Sequence, residues 1–469
     1  MNLHLTTLLI YAGLLMAVGM WLGRRVWASS EFFVASRRLG PGLIFTTLLA
    51  ANIGAGSTVG ASALGYRDGL SAWWWIGSAG LGSIVLAYWI GPRLRSVAAA
   101  HNLKTVGDFL EHRYGREVRA IIAILLWIGT LAILAAQLMA MGFVINVVTG
   151  LDRWVGSLIG GVVVSVYFTA GGLLASVWVN TIQLAVLFLG FIIACPLILT
   201  SAGGWSQVLS NTETIEDYWN IWSGGRSGWF YLAMLGPSFI VSPGILQRIY
   251  GARNDRAVRV GVGLNGAALL LFAAVPPLLG MIARSVHPDL PDPNLALPTL
   301  LLESLPPAVG ALALAAIFSA EVSSADAILF MLSTSLSRDL YLRFIHPAAS
   351  DAKVLSVARA SALAGGAGGT VLAIVSGSIV EALSFFYTLL AVSLFVPLVV
   401  GLYSRRVKTP EAIASTASGV TVVAVVQVTA GGDGIGSFTP AILGLGASLV
   451  AMLLVMLVQF LSTRDRKLS

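Results

Sequence analysis

The sequence predicts an all-α membrane protein, a bundle of about 13 transmembrane helices with no soluble domain between them. Three observations predict it. First, 57% of the 469 residues are hydrophobic and only 10% are charged, against roughly a quarter charged in a soluble domain; the mean hydropathy is +0.87. Second, apolar runs long enough to cross a bilayer, which takes about 20 helical residues, recur from end to end. Third, the Lys and Arg residues sort by side: with the N-terminus outside, all but Arg67, Arg153, Arg226 and Arg284 of the 28 fall in inner connections, as expected of a cytoplasmic face.

The runs are 3–23, 42–66, 71–92, 118–148, 153–171, 175–199, 229–250, 257–284, 307–337, 355–377, 381–403, 411–430 and 438–462. The first lacks a basic leader and a small-residue cleavage site, so it reads as a retained helix rather than a signal peptide. An odd number of spans puts the C-terminus inside. The basic connections account for the net charge of +7 without invoking nucleic acid. An integral protein of a plasma membrane, the bacterial inner membrane, is expected, and no obligate protein partner is implied.

Several features exclude other classes. A single cysteine, Cys195, rules out an internal disulfide. The five histidines lie at span ends or in loops without metal-ligand spacing. The stretch GAGSTVG (54–60) has the glycine density of a phosphate loop but follows no soluble strand. GGAGG (365–369) reads as close helix packing. TVGDFLEHRYG (105–115) is polar and reads as a short helix on the inner surface. No soluble stretch follows Arg464, so no fused catalytic or signalling domain is expected. An enzyme is not expected either, because no buried histidine supplies a base for a nucleophile.

Two spans are interrupted. The second contains AANIGAGSTVGASALG (50–65), and the seventh contains GPSFIVSPG with Pro237, Pro243 and Gly244. Glycine loosens a helix and proline removes one of its hydrogen bonds. Inside a membrane, freed backbone groups are tolerated only where protein or a cavity covers them. Two broken helices five spans apart are the sequence pointer to an inverted-repeat transporter with a midplane site. Ordinary kinks are the bland alternative.

LAANIG (49–54), TVGDFLEHRYG (105–115), FTAGGLLASVWVNTIQ (168–183), ILQRIYGARN (245–254) and SAEVSSADAILFMLSTSLSRDLY (319–341) together resemble the sodium/solute symporter family over nearly the whole chain. The resemblance implies a LeuT-type five-plus-five inverted repeat within one transporter domain: an extra N-terminal helix (3–23), repeats at 42–199 and 229–403, and two C-terminal helices (411–462). It implies a Na+ ion held by the carbonyls of Ala50, Ile53 and Ala320 and the hydroxyls of Ser323 and Ser324. The chemistry agrees: hard cations take oxygen ligands, and residues 320, 323 and 324 share one helical face. The alternative for the serine pair is back-bonding to the preceding turn.

Some family members hold a second sodium with an aspartate in a WTD triplet. Here the triplet is Trp178, Val179, Asn180, and an acid stands instead at Asp326, three residues after Ser323. Asp326 and Asn180 are therefore a candidate second cation site. No Lys or Arg is expected mid-span, which leaves a cation as the natural partner; a water-solvated acid is the alternative. Glu321 lies about 160° round the helix from Ser323 and is either protonated or bonded to hydroxyls of another helix; no role is assigned to it.

By offset, the family's sugar-reading positions are Ile76, Ala79, Leu235 and Ser57 here, so a hydroxyl-rich solute leaves too many hydrogen bonds unmade. Gly54, Gly56, Ser57, Trp75, Gln137, Ser238, Phe239 and Phe385 form the candidate solute site. A small solute with an apolar body is expected, a proline-like amino acid or a short monocarboxylate, docked on half-helix N-termini. A dianion is not expected, for want of a buried Arg. The leading expectation is a sodium-coupled symporter. Alternatives are a proton-coupled symporter using Asp326 or Glu321, and a membrane sensor of the same fold.

Overall fold

The computed structural model describes residues 3–23, 39–431, 434–435 and 438–468, without the side chains of residues 15, 18–23, 167, 170–182 and 463–468. Nearly all of it is helical. In chain order the helices are α1 (Leu3–Gly23), α2 (Pro41–Asn52), α3 (Val59–Asp68), α4 (Trp73–Val85), α5 (Gly91–Ala100), α6 (Val106–Tyr114), α7 (Arg116–Thr149), α8 (Arg153–Ser201), α9 (Gly204–Thr212), α10 (Tyr231–Val241), α11 (Pro243–Tyr250) and α12 (Asp255–Phe272). They continue with α13 (Val275–Val286), α14 (Ala296–Glu303), α15 (Pro307–Thr334), α16 (Asp351–Val375), α17 (Ile379–Leu390), α18 (Val396–Tyr403), α19 (Thr409–Ala430) and α20 (Pro440–Leu468). One short hairpin pairs Ser223–Gly224 with Ser227–Gly228.

Among the described residues, ten helices are long and apolar enough to cross a membrane, and shorter apolar helices lie at Leu3–Leu14, Pro41–Asn52 and Arg153–Val166. These shorter pieces stand where the first, second and fifth spans are expected. The second is short because the chain leaves the helix at Ile53, makes a 3-10 turn over Ala55–Ser57 and resumes helix at Val59. The expected boundary between 153–171 and 175–199 is not a break: one helix, α8, carries both. The glycines there weaken a helix but remove no hydrogen bond.

Burial separates the helices into layers. The apolar core of α15 is 83% enclosed, whereas the C-terminal span in α20 is 22% enclosed. Helix α15 is therefore the centre of the bundle, packed on α1, α7, α8 and α16. Outward faces carry bare apolar side chains such as Leu271, Val375 and Val428, as a lipid-facing surface requires. The glycines of 365–369 behave as close-packing residues: a Cβ on Gly366 would lie 2.2 Å from Ser165 Oγ on α8, and one on Gly369 would lie 2.6 Å from Leu134 on α7.

On one side of the bundle, α6 docks against the C-terminal end of α15, which continues as a π-helix over Ser335–Ile345. Thr105 and Asp108 close a capping box that starts α6. Arg119 reaches Asp108 at 3.0 Å, Glu111 at 2.8 Å and Asp339 at 2.6 Å. Thr105 Oγ1 donates to Asp339 Oδ1 at 2.9 Å, and Arg343 forks onto Glu111. Burial pulls the Glu111 carboxyl upward, but hydrogen bonds from Arg343 and Arg119 outweigh it and hold the carboxyl below its usual range.

Candidate functional site

The break between α2 and α3 builds the site. Where the helix stops, its backbone groups need new partners. Gln137 Oε1, from α7, accepts from Ala55 N at 2.8 Å. Ser57 Oγ accepts from Gly54 N at 2.9 Å and donates to Asn52 O at 3.0 Å or Gly54 O at 3.2 Å. Trp75 Nε1, from α4, donates to Gly56 O at 2.9 Å. Gly54 is fixed by close approach: a Cβ there would sit 2.3 Å from Ser324 Oγ and 2.6 Å from Gln137 Oε1.

The serine pair on α15 faces this break. Ser323 Oγ donates to Ala50 O at 3.4 Å, and Ser324 Oγ donates to Ile53 O at 3.1 Å and Ala51 O at 3.4 Å. Back-bonding is not what they do, although Ser333, Thr334 and Ser337 on the same helix all bond to their own preceding turn. Ala50, Ile53, Ala320, Ser323 and Ser324 are all buried. Hard cations hold oxygens at about 2.3–2.6 Å, so neighbouring ligands at right angles stand about 3.4 Å apart. The hydroxyl–carbonyl spacings here match that, and the donor set of neutral oxygens fits a sodium ion.

Beside the break is a cavity of about 80 Å³, well above the ~10–15 Å³ needed to hold one water. Gly54, Gly56, Ser57, Trp75, Gln137 and Phe239 line it, as expected, together with Ile76, Leu383, Phe386 and Tyr387. Rings enclose it: Trp75 meets Tyr387 edge-on at 6.2 Å, and Phe239 lies 5.7 Å from Tyr387. Two expected residues are elsewhere. Phe385 is 51% exposed and faces away, because α17 turns its neighbours Phe386 and Tyr387 inward. Ser238 is fully buried, and its hydroxyl is within 2.6 Å of both Met234 O and Tyr387 O, tying α10 to α17 rather than facing solute.

The second break, at Ser242 between α10 and α11, forms the opposite wall with Ser242, Gly244 and Ile245. Here the structure corrects an expectation. Arg248 lines the cavity, with Nη1 donating to Gly244 O at 2.6 Å. The expectation of no mid-span cation fails because α11 starts at the break and carries Arg248 one turn beyond Gly244. Asp326 is buried and acts electrostatically on Arg248. Asn180, the other half of the expected second cation site, has its side chain outside the described residues. A further pocket shares Met331 with the cavity and is lined by Thr105, Gly107, Gln247, Thr334 and Asp339, so the Arg119 cluster borders a second, neighbouring pocket. Sequence reading missed this cluster; the signal was the charge density of TVGDFLEHRYG and SLSRDLY.

Glu321 is fully buried, and Thr58 Oγ1 lies 2.7 Å from its Oε1. Of the two expectations for Glu321, this contact is the hydroxyl of another helix. The 160° offset is measured from Ser323; from Ser324 the offset is only about 60°, which brings Glu321 to the flank of the break.

A profile described as the sodium:solute symporter family matches residues 32–419. The sodium/pantothenate symporter of Escherichia coli K12 is 28% identical over 335 residues, 67% of this chain and 66% of that protein, so the chain spans just under two thirds of it. The high-affinity proline transporter of Bacillus subtilis is 24% identical over 75% of this chain and 76% of its own length. The zebrafish (Danio rerio) sodium-coupled monocarboxylate transporter 2 is 26% identical over 76% and 60%. Among solved structures, a Na+-coupled sialic acid symporter in a substrate-bound, outward-open state superposes with a TM-score of 0.82 at 17% identity, over 98% of both chains. Mhp1, a nucleobase-cation-symport-1 family transporter, superposes with a TM-score of 0.58 at 14% identity, over 91% of this chain and 92% of its own. Both are likenesses of fold.

Proposed function

The chain belongs to the sodium:solute symporter family, and from that premise we propose that it imports a small organic solute with an apolar body, driven by the inward movement of sodium. The protein is an integral membrane protein; its placement in a bacterial inner membrane, N-terminus outside, rests on the basic residues of the inner connections.

The observation that carries the reading is the meeting of the Ser323 and Ser324 hydroxyls with the carbonyls of Ala50 and Ile53, directly beside the cavity. An ion bound there ties α15 to the broken helix. It also fixes Gly54, whose neighbours Gly56 and Ser57 line the cavity, so ion binding organises the solute site. Linkage makes the effect reciprocal: solute raises sodium affinity by the factor by which sodium raises solute affinity. Alternating access then needs motion about the two breaks, where few helical hydrogen bonds resist it.

The cavity supports a short monocarboxylate or a proline-like amino acid. Its walls are mostly aromatic and aliphatic with a few polar groups such as Ser57 and Gln137, and Arg248 is the cationic side chain among its described lining residues. A carboxylate docked there shares Arg248 with Asp326.

The test is uptake into proteoliposomes of purified protein. Proline and short monocarboxylates are offered with an inward sodium gradient, with potassium or choline replacing sodium, and with a proton gradient alone. Accumulation that requires sodium supports the reading. Accumulation driven equally in choline by a proton gradient replaces sodium with protons, and saturable binding without accumulation identifies a sensor.

A further inference from the structure

One carboxylate in the core is left short of partners. Glu321 is fully buried, its Oε1 meets only Thr58 Oγ1, and its Oε2 has no hydrogen-bond partner among the described residues. Thr58, also fully buried, lies 2.9 Å from Gly54 O and 2.7 Å from Glu321 Oε1. A hydroxyl has one proton, and that proton cannot serve both acceptors at once.

Among the described residues, the helices packed on α15 bring no charged side chain to act on Glu321. Helix α1 brings Tyr11, which is bonded to Ser319 and Gln183. Helix α8 brings Cys195, and α11 brings Arg248, which is engaged with Gly244 O and Asp326. Helices α7 and α16 carry their charges near their N-terminal ends, at Arg116, Glu117, Arg119, Asp351, Lys353 and Arg359. A buried carboxylate with one neutral hydroxyl for company is several kcal/mol short of compensation, on the order of the cost of a buried unpaired ion.

We infer that Glu321 and Thr58 are ligands of a second monovalent cation site, on the flank of the α2–α3 break away from Ser323. A sodium ion held by the Glu321 carboxylate and the Thr58 oxygen frees the Thr58 proton for the Gly54 carbonyl. It satisfies Oε2 and leaves the pair electrically neutral, which a divalent ion does not. Gly54 is then shared: Ser324 packs on one side of it, and Thr58 holds its carbonyl from the other. Two ions thus set one backbone segment, the segment that borders the solute cavity. The inference rests on the sodium-coupled reading above and adds a second ion to it.

The experiment counts bound ions. Purified full-length protein, checked for monodispersity, is titrated with 22Na+ in a scintillation-proximity assay, and sites per protein are read at saturation. The wild type should bind two. Glu321→Gln, which keeps the shape and the contact with Thr58, should bind one. Thr58→Val should weaken one of the two sites tenfold or more and leave the other unchanged. Wild-type protein that binds one ion overturns the second site while sodium coupling stands, and protein that binds none overturns both. A Glu321→Gln variant that still binds two ions overturns the assignment of Glu321. If that variant does not fold, the wild-type count and Thr58→Val decide: two sites left unchanged in Thr58→Val also overturn the proposal.

Discussion

Gly54→Ala isolates the role of the break with the smallest possible change. The added methyl would lie 2.3 Å from Ser324 Oγ, 2.6 Å from Ser324 Cβ and 2.6 Å from Gln137 Oε1. None of these distances is tolerable, so Ser324 must rotate or α15 must move. Rotating Ser324 relieves the Oγ contact alone; its Cβ stays in place, so α15 and Gln137 must also give way, an overpacking cost of about 1–3 kcal/mol, and folded protein should reach the membrane in somewhat reduced amount. The rotation, however, removes a hydroxyl from the candidate ion site. A contact with a charged partner contributes about 1.5–3 kcal/mol, and ~1.4 kcal/mol is a tenfold change in affinity. Sodium affinity should therefore fall about 10- to 150-fold, read as the sodium concentration that half-saturates thermal stabilisation or 22Na+ binding. Gly54→Ala combined with Ser324→Ala should be far from additive, because both remove the same oxygen. Sodium dependence unchanged in Gly54→Ala, or full additivity in the double variant, would refute the assignment and leave Gly54 as a packing residue only.

Ser323→Ala should raise the half-saturating sodium concentration about tenfold or more with abundance unchanged; lost protein with normal sodium dependence in the survivors would make the serine a packing group. Asp326→Asn should impair uptake by removing the charge that acts on Arg248 at the cavity wall; uptake equal to wild type would show that the acid takes no part in the site. Arg119→Met strands Asp339 in a cluster where Arg119 is 7% exposed, while Glu111 keeps Arg343. Removing one partner of such a pair costs about 3–5 kcal/mol, and a melting temperature equal to wild type would disprove that the cluster clamps α6 to α15. The lowered Glu111 carboxyl contributes stability that is present above its unfolded value, 4.5, and is lost as pH falls through its folded value. The melting temperature should accordingly decline below about pH 4.5, and Glu111→Gln should flatten that decline.

Much of this protein is legible along the chain because a bilayer imposes a one-dimensional rule. Each crossing needs a continuous apolar run, and each interruption in it must be covered. Most of the apolar spans, an interruption in each of the second and seventh, the small-residue packing at 365–369 and a short polar helix within 105–115 all follow from that rule and are legible without coordinates. The serine pair was legible too, since residues 320, 323 and 324 share a face by helical period alone. What the sequence did not determine is which side chains meet across helices far apart in the chain. Phe385 and Phe386 are neighbours of equal hydrophobicity, and only the rotation of α17 in the bundle sends one to the surface and the other to the cavity. Ser238 has the right chemistry for a solute contact, but the approach of Tyr387 O consumes its hydroxyl. Arg248 looked like an ordinary residue of an inner connection until the break at Ser242 brought α11 to the cavity wall. Glu321 had no partner by periodicity within its own helix; its partner, Thr58, lies 263 residues away. Apolar runs and helical periods are local properties, fixed by residues within a few turns of one another. A side chain's partners depend on how whole helices rotate and approach, and that is settled only when the bundle packs.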